Sequence, residues 1–152
     1  MASMNQNSSA TNGSKKPMDE APRVLICGGS KFGILDDGTV NQRAIGNVNK
    51  LFDKIISYKF PDAVVEIVSA SNVGVETYGV AYAKDRGLKL HEYEANVERY
   101  GNSAGAVRTH TMLFDGRPDL VIALAGGAGT RHMKAISIDY GVEVLEVSLV
   151  KT

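Results

Sequence analysis

Apolar residues along this chain alternate between two rhythms. Val24 to Cys27 is a short unbroken apolar run, the pattern of a strand buried on both faces. Ala44, Ile45, Val48, Leu51, Phe52, Ile55 and Ile56 then recur at helical spacing and predict an amphipathic helix. Pro61-Asp62 breaks it, and Ala63 to Val68 predicts a second strand. Val73 to Arg86 reads as a second helix, ended by Gly87 as a C-cap. Leu88 to Tyr93 is a more polar strand, suited to a sheet edge. Ser103 stands where it can cap a helix running to about Asp115, closed by Gly116-Arg117-Pro118. Leu120 to Leu124 predicts a fourth strand, a helix follows Thr130 to about Tyr140, and Val142 to Val147 predicts a fifth strand.

Strands that alternate with helices imply right-handed crossovers and a sheet covered on both faces. The expected fold is therefore α/β, a Rossmann-like three-layer α/β/α arrangement around a mostly parallel five-stranded sheet, over residues 21–152. Residues 1–20 are rich in Ser, Asn and Lys and carry few large apolar groups, which predicts a disordered tail. In an open parallel sheet, ligands bind beyond the carboxyl ends of the strands, at the point where the strand order reverses. Ser69 to Asn72 and Glu94 to Gly101 fall at such ends, and so do two glycine turns.

The first turn is Gly28-Gly29-Ser30-Lys31, directly after the first apolar run. The second, Gly126-Gly127-Ala128-Gly129-Thr130, lies between the fourth strand and the helix that follows it. Glycines there remove the side chains that would block close approach. The free N–H groups and positive dipole end of the next helix attract an anion, and Thr130 adds a hydroxyl donor. Neither turn has the Gly-Lys-Ser/Thr ending of a P-loop or the GxGxxG spacing of a dinucleotide site. The two together suggest one shared site for a nucleotide or nucleotide-like ligand, with Ser71 and Asn72 at its rim. Arg108, in a helix whose start should face the site, is placed to bind phosphate or carboxylate bidentately. Glu76 is a candidate acid or ribose-binding group; Met112, four residues after Arg108, reads as core.

Composition narrows the alternatives. The 152 residues allow one domain with a proper core. Lys+Arg and Asp+Glu both total 17, so the chain lacks the basic excess of a protein that coats nucleic acid. The single cysteine, Cys27, cannot form an intramolecular disulfide, which fits a reducing cytoplasm. No apolar stretch approaches a membrane span, and the first residues lack the apolar segment of a secretory signal. Asp36-Asp37-Gly38 reads as a turn rather than a metal site, and His91, His110 and His132 lack ligand spacing. No metal and no cofactor is expected.

Taken in order, Gly28-Gly29-Ser30-Lys31-Phe32, Val73-Gly74-Val75-Glu76, Tyr100 to Arg108, Met112 and Gly126 to Met133 resemble the SLOG superfamily. This is the Rossmann-like group that includes the Lonely-guy phosphoribohydrolases and the DNA-processing protein DprA. The resemblance covers roughly residues 22–148 and is strongest to a small, largely uncharacterised bacterial and phage branch. It implies phosphate binding on the glycine turns and assembly through the helices, with sites completed across the interface. The phosphoribohydrolases carry Pro-Gly-Gly-x-Gly-Thr-x-x-Glu and an upstream arginine that acts with the Glu on the glycosidic bond. Arg108 matches the arginine, but Ala125 replaces the Pro and Met133 stands at the Glu. A methionine can neither exchange the proton nor stabilise an oxocarbenium ion.

The expected function is thus binding of a nucleotide or nucleotide-derived ligand, as a sensor or sponge. The alternative is a nucleotide-processing hydrolase in which Glu76 or the Asp36-Asp37 loop supplies the acid and Arg108 assists. Single-stranded DNA binding is the weaker third reading. Val107, Met112, Leu113 and Phe114 cover more than one helical face, and Met133, Ile136 and Ile138 spread around the next helix. That surplus predicts a homodimer or a dimer-built tetramer with Arg108 near the subunit boundary.

Overall fold

The computed structural model describes residues 20–28, 42–72, 77–124 and 128–147. Strand β1 (Arg23–Cys27) leads to helix α1 (Gln42–Lys59), β2 (Glu66–Ser71), α2 (Tyr78–Arg86) and β3 (Leu90–Glu94). A short helix α3 (Val97–Tyr100) and a 3₁₀ turn (Gly101–Ser103) run into α4 (Ala104–Phe114). Then come β4 (Leu120–Leu124), α5 (Ala128–Asp139) and β5 (Glu143–Val147). All neighbouring strands are parallel, in the order β3-β2-β1-β4-β5.

Alternation along β1 builds the layers. Val24 and Ile26 point to one face, where Val48, Phe52 and Ile56 of α1 and Tyr82 of α2 cover them. Leu25 points to the other, against Met112 and Leu113 of α4 and Met133 of α5. β4, between the central β1 and the edge strand β5, is buried along its whole length, as a strand covered on both faces must be. The chain lays β2 and β3 outward on one side of β1, then crosses to β4 and β5 on the other. The order therefore reverses between β1 and β4.

Several boundaries differ from the pattern reading. β2 begins three residues later than expected because its ladder starts only opposite Arg23, where Glu66 pairs with it. It also runs on through Ser69, Ala70 and Ser71, which pair with Glu92, Tyr93 and Glu94 of β3. β3 itself starts two residues late, at Leu90, and lies at the sheet edge as its polar pattern predicts. α2 starts at Tyr78: Thr77 caps it, accepting a hydrogen bond from the Val80 amide at 3.3 Å, and the expected start at Val73 lies outside the described residues. Gly87 closes α2 in the left-handed region (φ 65°), as predicted. α3 has no apolar period and escapes that reading. Its continuation through the 3₁₀ turn leaves Ser103 already helical, so Ser103 precedes α4 without making a capping bond. α5 starts two residues before Thr130, at Ala128.

Most of the apolar surplus on the last two long helices belongs to the core. Met112, Leu113 and Met133 are buried against the sheet, whereas Phe114 and Ile138 are 63% and 73% exposed. Cys27 packs beside the same cluster, and burial pushes its thiol up to about 12, so it stays protonated and unreactive.

Candidate functional site at the carboxyl edge of the sheet

Carrying the strand registers to the strand ends aligns Glu94, Ser71, Gly28, Leu124 and Val147 in one row across the five strands. Gly28 and Leu124 stand at the reversal point, and Ser71 is one strand away. This row is the floor of the candidate site.

Gly28 leaves β1 with φ +92°, and a Cβ there would lie 2.3 Å from the Leu124 carbonyl oxygen and 2.6 Å from Thr130 Oγ1. Gly28 therefore packs directly on the end of β4 and on Thr130 in the first turn of α5. Thr130 is 5% exposed, and its hydroxyl lies beside Gly28 rather than held out to solvent. Gly129, beside it, is exposed, and a Cβ there would meet nothing within 4 Å. Ala128 is the first residue of α5. Gly29, Ser30, Lys31, Glu76, Gly126 and Gly127 lie outside the described residues, as does the Asp36-Asp37 turn.

Arg108 reaches back from α4 to the end of β2. Its Nη1 donates to the Ser71 carbonyl oxygen at 3.3 Å and to Asn72 Oδ1 at 3.0 Å. Both acceptors are neutral, and among the described residues no carboxylate pairs with this guanidinium. Its Nε is buried and has no hydrogen-bond partner among them. Burial lowers the pKa of Arg108 from its ordinary value, the sign of a charge held away from water without compensation. Leaving a charge so is costly unless an anion completes it.

Beside Arg108 lies a cavity of about 120 Å³ that sequence reasoning missed. Tyr93 and Glu94 of β3, Asn96, Tyr100 of α3 and Arg108 line it. No motif marks Tyr93, Glu94 or Asn96; the available signal was their place at the carboxyl end of the third strand. Tyr93 is held rigid by donating to Asp115 Oδ2 at 2.6 Å, and burial pushes its hydroxyl up to about 12.

The start of α2 meets the same edge. Thr77 Oγ1 donates to the Ala70 carbonyl oxygen at 3.1 Å and lies 2.9 Å from Ser69 Oγ, and Gly79 packs directly on Ser69. Met133, where the phosphoribohydrolase pattern has Glu, is 3% exposed and faces the core. His91 is taken up by Glu66 at 2.8 Å, and His110 Nδ1 lies 3.3 Å from the Tyr140 hydroxyl. Among the described residues no group of three or more His, Cys, Asp or Glu is placed to hold a metal ion. No described helix is long and apolar enough to cross a membrane. Compared with family models, curated proteins and solved structures, the chain finds no match.

Proposed function

We propose that this protein binds a nucleotide or nucleotide-derived ligand at the carboxyl edge of its sheet, as a sensor or sponge. The observation that carries the reading is Arg108, a half-buried guanidinium that rests on two neutral oxygens and keeps a buried Nε unpaired. An anionic group completes it. The contact of Gly28 with Leu124 and Thr130 supports the same reading, because it brings Gly28 against the first turn of α5 at the reversal point, where open sheets bind phosphates. Kinship with the SLOG group, in a bacterial or phage cytoplasm, is part of the proposal, supported by the all-parallel order and by the motifs that carry the resemblance.

Binding is preferred over hydrolysis because Met133 offers no acid–base chemistry and its side chain is buried in the core. Isothermal titration against mononucleotides, cyclic nucleotides and ADP-ribose-type compounds tests the reading. A ligand of micromolar affinity or better is expected, and silence across the panel overturns it. Chromatography of the titrated nucleotides shows whether base is released; release abolished by Arg108→Ala would favour the hydrolase instead. The proposal includes self-association through α4 and α5, where Phe114 and Ile138 are exposed.

A further inference from the structure

The cavity beside Arg108 has a chemical polarity that selects among ligands. At about 120 Å³ it exceeds the roughly 10–15 Å³ that one water needs and falls well short of the roughly 300 Å³ of a whole drug-sized ligand site. It is sized for one part of a ligand, such as a ring. Tyr93 and Tyr100 supply aromatic walls, and Tyr93 is locked by Asp115. Among the described residues, Glu94 and Arg108 line the same space without forming an ion pair with one another.

The hydrogen-bonding groups define a pattern. An ionised Glu94 can only accept, and with two oxygens it matches two adjacent donors. Asn96 Oδ1 is already engaged by the Arg99 amide at 3.1 Å, which leaves the Asn96 NH₂ group to donate. Two acceptors on Glu94 and a donor on Asn96, lining one cavity, are the groups that complement a ring presenting two neighbouring N–H groups beside a carbonyl. Among the nucleobases guanine has this edge, through N1–H, the 2-amino group and O6. Adenine and cytosine place a single amino donor beside a ring acceptor, and uracil flanks its one N–H with two carbonyls. Distance agrees with this placement. Glu94 and Gly28 end β3 and β1, two strand spacings or roughly 10 Å apart, about the reach from a 5′-phosphate to its base.

We infer that this cavity is a base-recognition subsite selective for a guanine-type heterocycle, with Glu94 and Asn96 reading its edge and Arg108 meeting the anionic part of the same ligand. The inference rests on the nucleotide reading of this edge and adds the identity of the base. Guanosine, inosine and uridine 5′-monophosphates, titrated into the full chain, provide the test. Inosine monophosphate lacks only the 2-amino donor. Guanosine monophosphate is expected to bind about 10-fold more tightly than either of the others, the worth of one hydrogen bond to a charged acceptor at a partly exposed site.

Glu94→Gln should erase that preference, because a carboxamide keeps one acceptor and replaces the other with a donor. Glu94 is exposed on an edge strand, so the fold should tolerate the change. Asn96→Asp keeps the oxygen that caps α3 and removes the donor, and should weaken guanosine monophosphate specifically. Equal affinities for the three nucleotides, unmoved by Glu94→Gln, would overturn the base assignment and leave nucleotide binding standing. Absence of binding by all three and by the wider nucleotide panel would overturn both.

Discussion

A methyl group added at Gly28 would lie 2.3 Å from the Leu124 carbonyl oxygen, on a backbone at φ +92° where side chains are rarely tolerated. Neither contact can be relieved by a rotamer change, because one partner is main chain and the backbone conformation itself is strained. Gly28→Ala should therefore cost about 2–4 kcal/mol, more than the usual left-handed penalty of about 1 kcal/mol. Urea unfolding checks this, and a midpoint unchanged from the parent would show that Gly28 does not rest on β4. Arg108 should behave in the opposite way. It contributes an uncompensated charge in the unliganded protein, so Arg108→Met should change stability by less than about 1 kcal/mol, while ligand affinity falls about 10- to 100-fold. Arg108→Lys should recover little of that affinity, since an ammonium lacks the fork that engages β2 and an anion together. A variant that loses stability but not affinity would make Arg108 a structural strut between α4 and β2.

Among the elements, α1 and α2 are joined by a polar cluster far from the site. Tyr82 donates to Asp53 Oδ1 at 2.6 Å, and Arg86 grips the same carboxylate through Nε at 3.0 Å and Nη2 at 2.8 Å. Arg86, helped by Tyr82, holds the Asp53 carboxyl below its ordinary value. A depressed carboxylate stabilises the fold at pH values above its unfolded pKa, about 3.9, and loses that contribution as pH falls through the lowered folded value. Because Asp53 and Arg86 are 42% and 33% exposed, solvent screening limits the worth of the pair to about 0.5–1 kcal/mol. Asp53→Asn should thus unfold at lower urea than the parent at pH 7, and the gap should close below about pH 4. A gap independent of pH would assign the cost to packing instead. The elements also show where pattern reading works. α1 was legible because its apolar spacing is strong, and β4 because its run is unbroken. β2 was displaced because strand ends depend on what the partner strand offers: its last residues, Ser69 to Ser71, are polar yet paired. Gly28 and Arg108 were legible in the site because glycine turns and a lone arginine on a helix are local signals. The cavity was not, since Glu94 and Asn96 acquire their meaning only when α3 and α4 fold back over the edge of β3.

At the scale of the whole molecule, the strongest expectation concerns assembly, and the structure has narrowed its basis. Seven apolar residues on the last long helices suggested a covered face, but Met112, Leu113 and Met133 turn inward and are accounted for by the core. What remains exposed on that face is Phe114 of α4 and Ile138 of α5, on helices that pack side by side. Tyr58 and Val64, at the end of α1 and before β2, are exposed at 83% and 77% and belong to the opposite layer, so they serve as the internal control. If α4 and α5 form a two-fold contact, each exposed side chain meets the partner copy twice over, and one charge placed there is felt twice. The parent should then scatter light with at least twice the 16.3 kDa of one chain at micromolar concentration. The double variant Phe114→Glu with Ile138→Glu should return it to a single chain, whereas Tyr58→Ser with Val64→Ser should leave the mass unchanged. A parent already at 16.3 kDa would mean that Phe114 and Ile138 are isolated apolar residues of the kind every soluble protein exposes, and that the site at the carboxyl edge is complete within one chain.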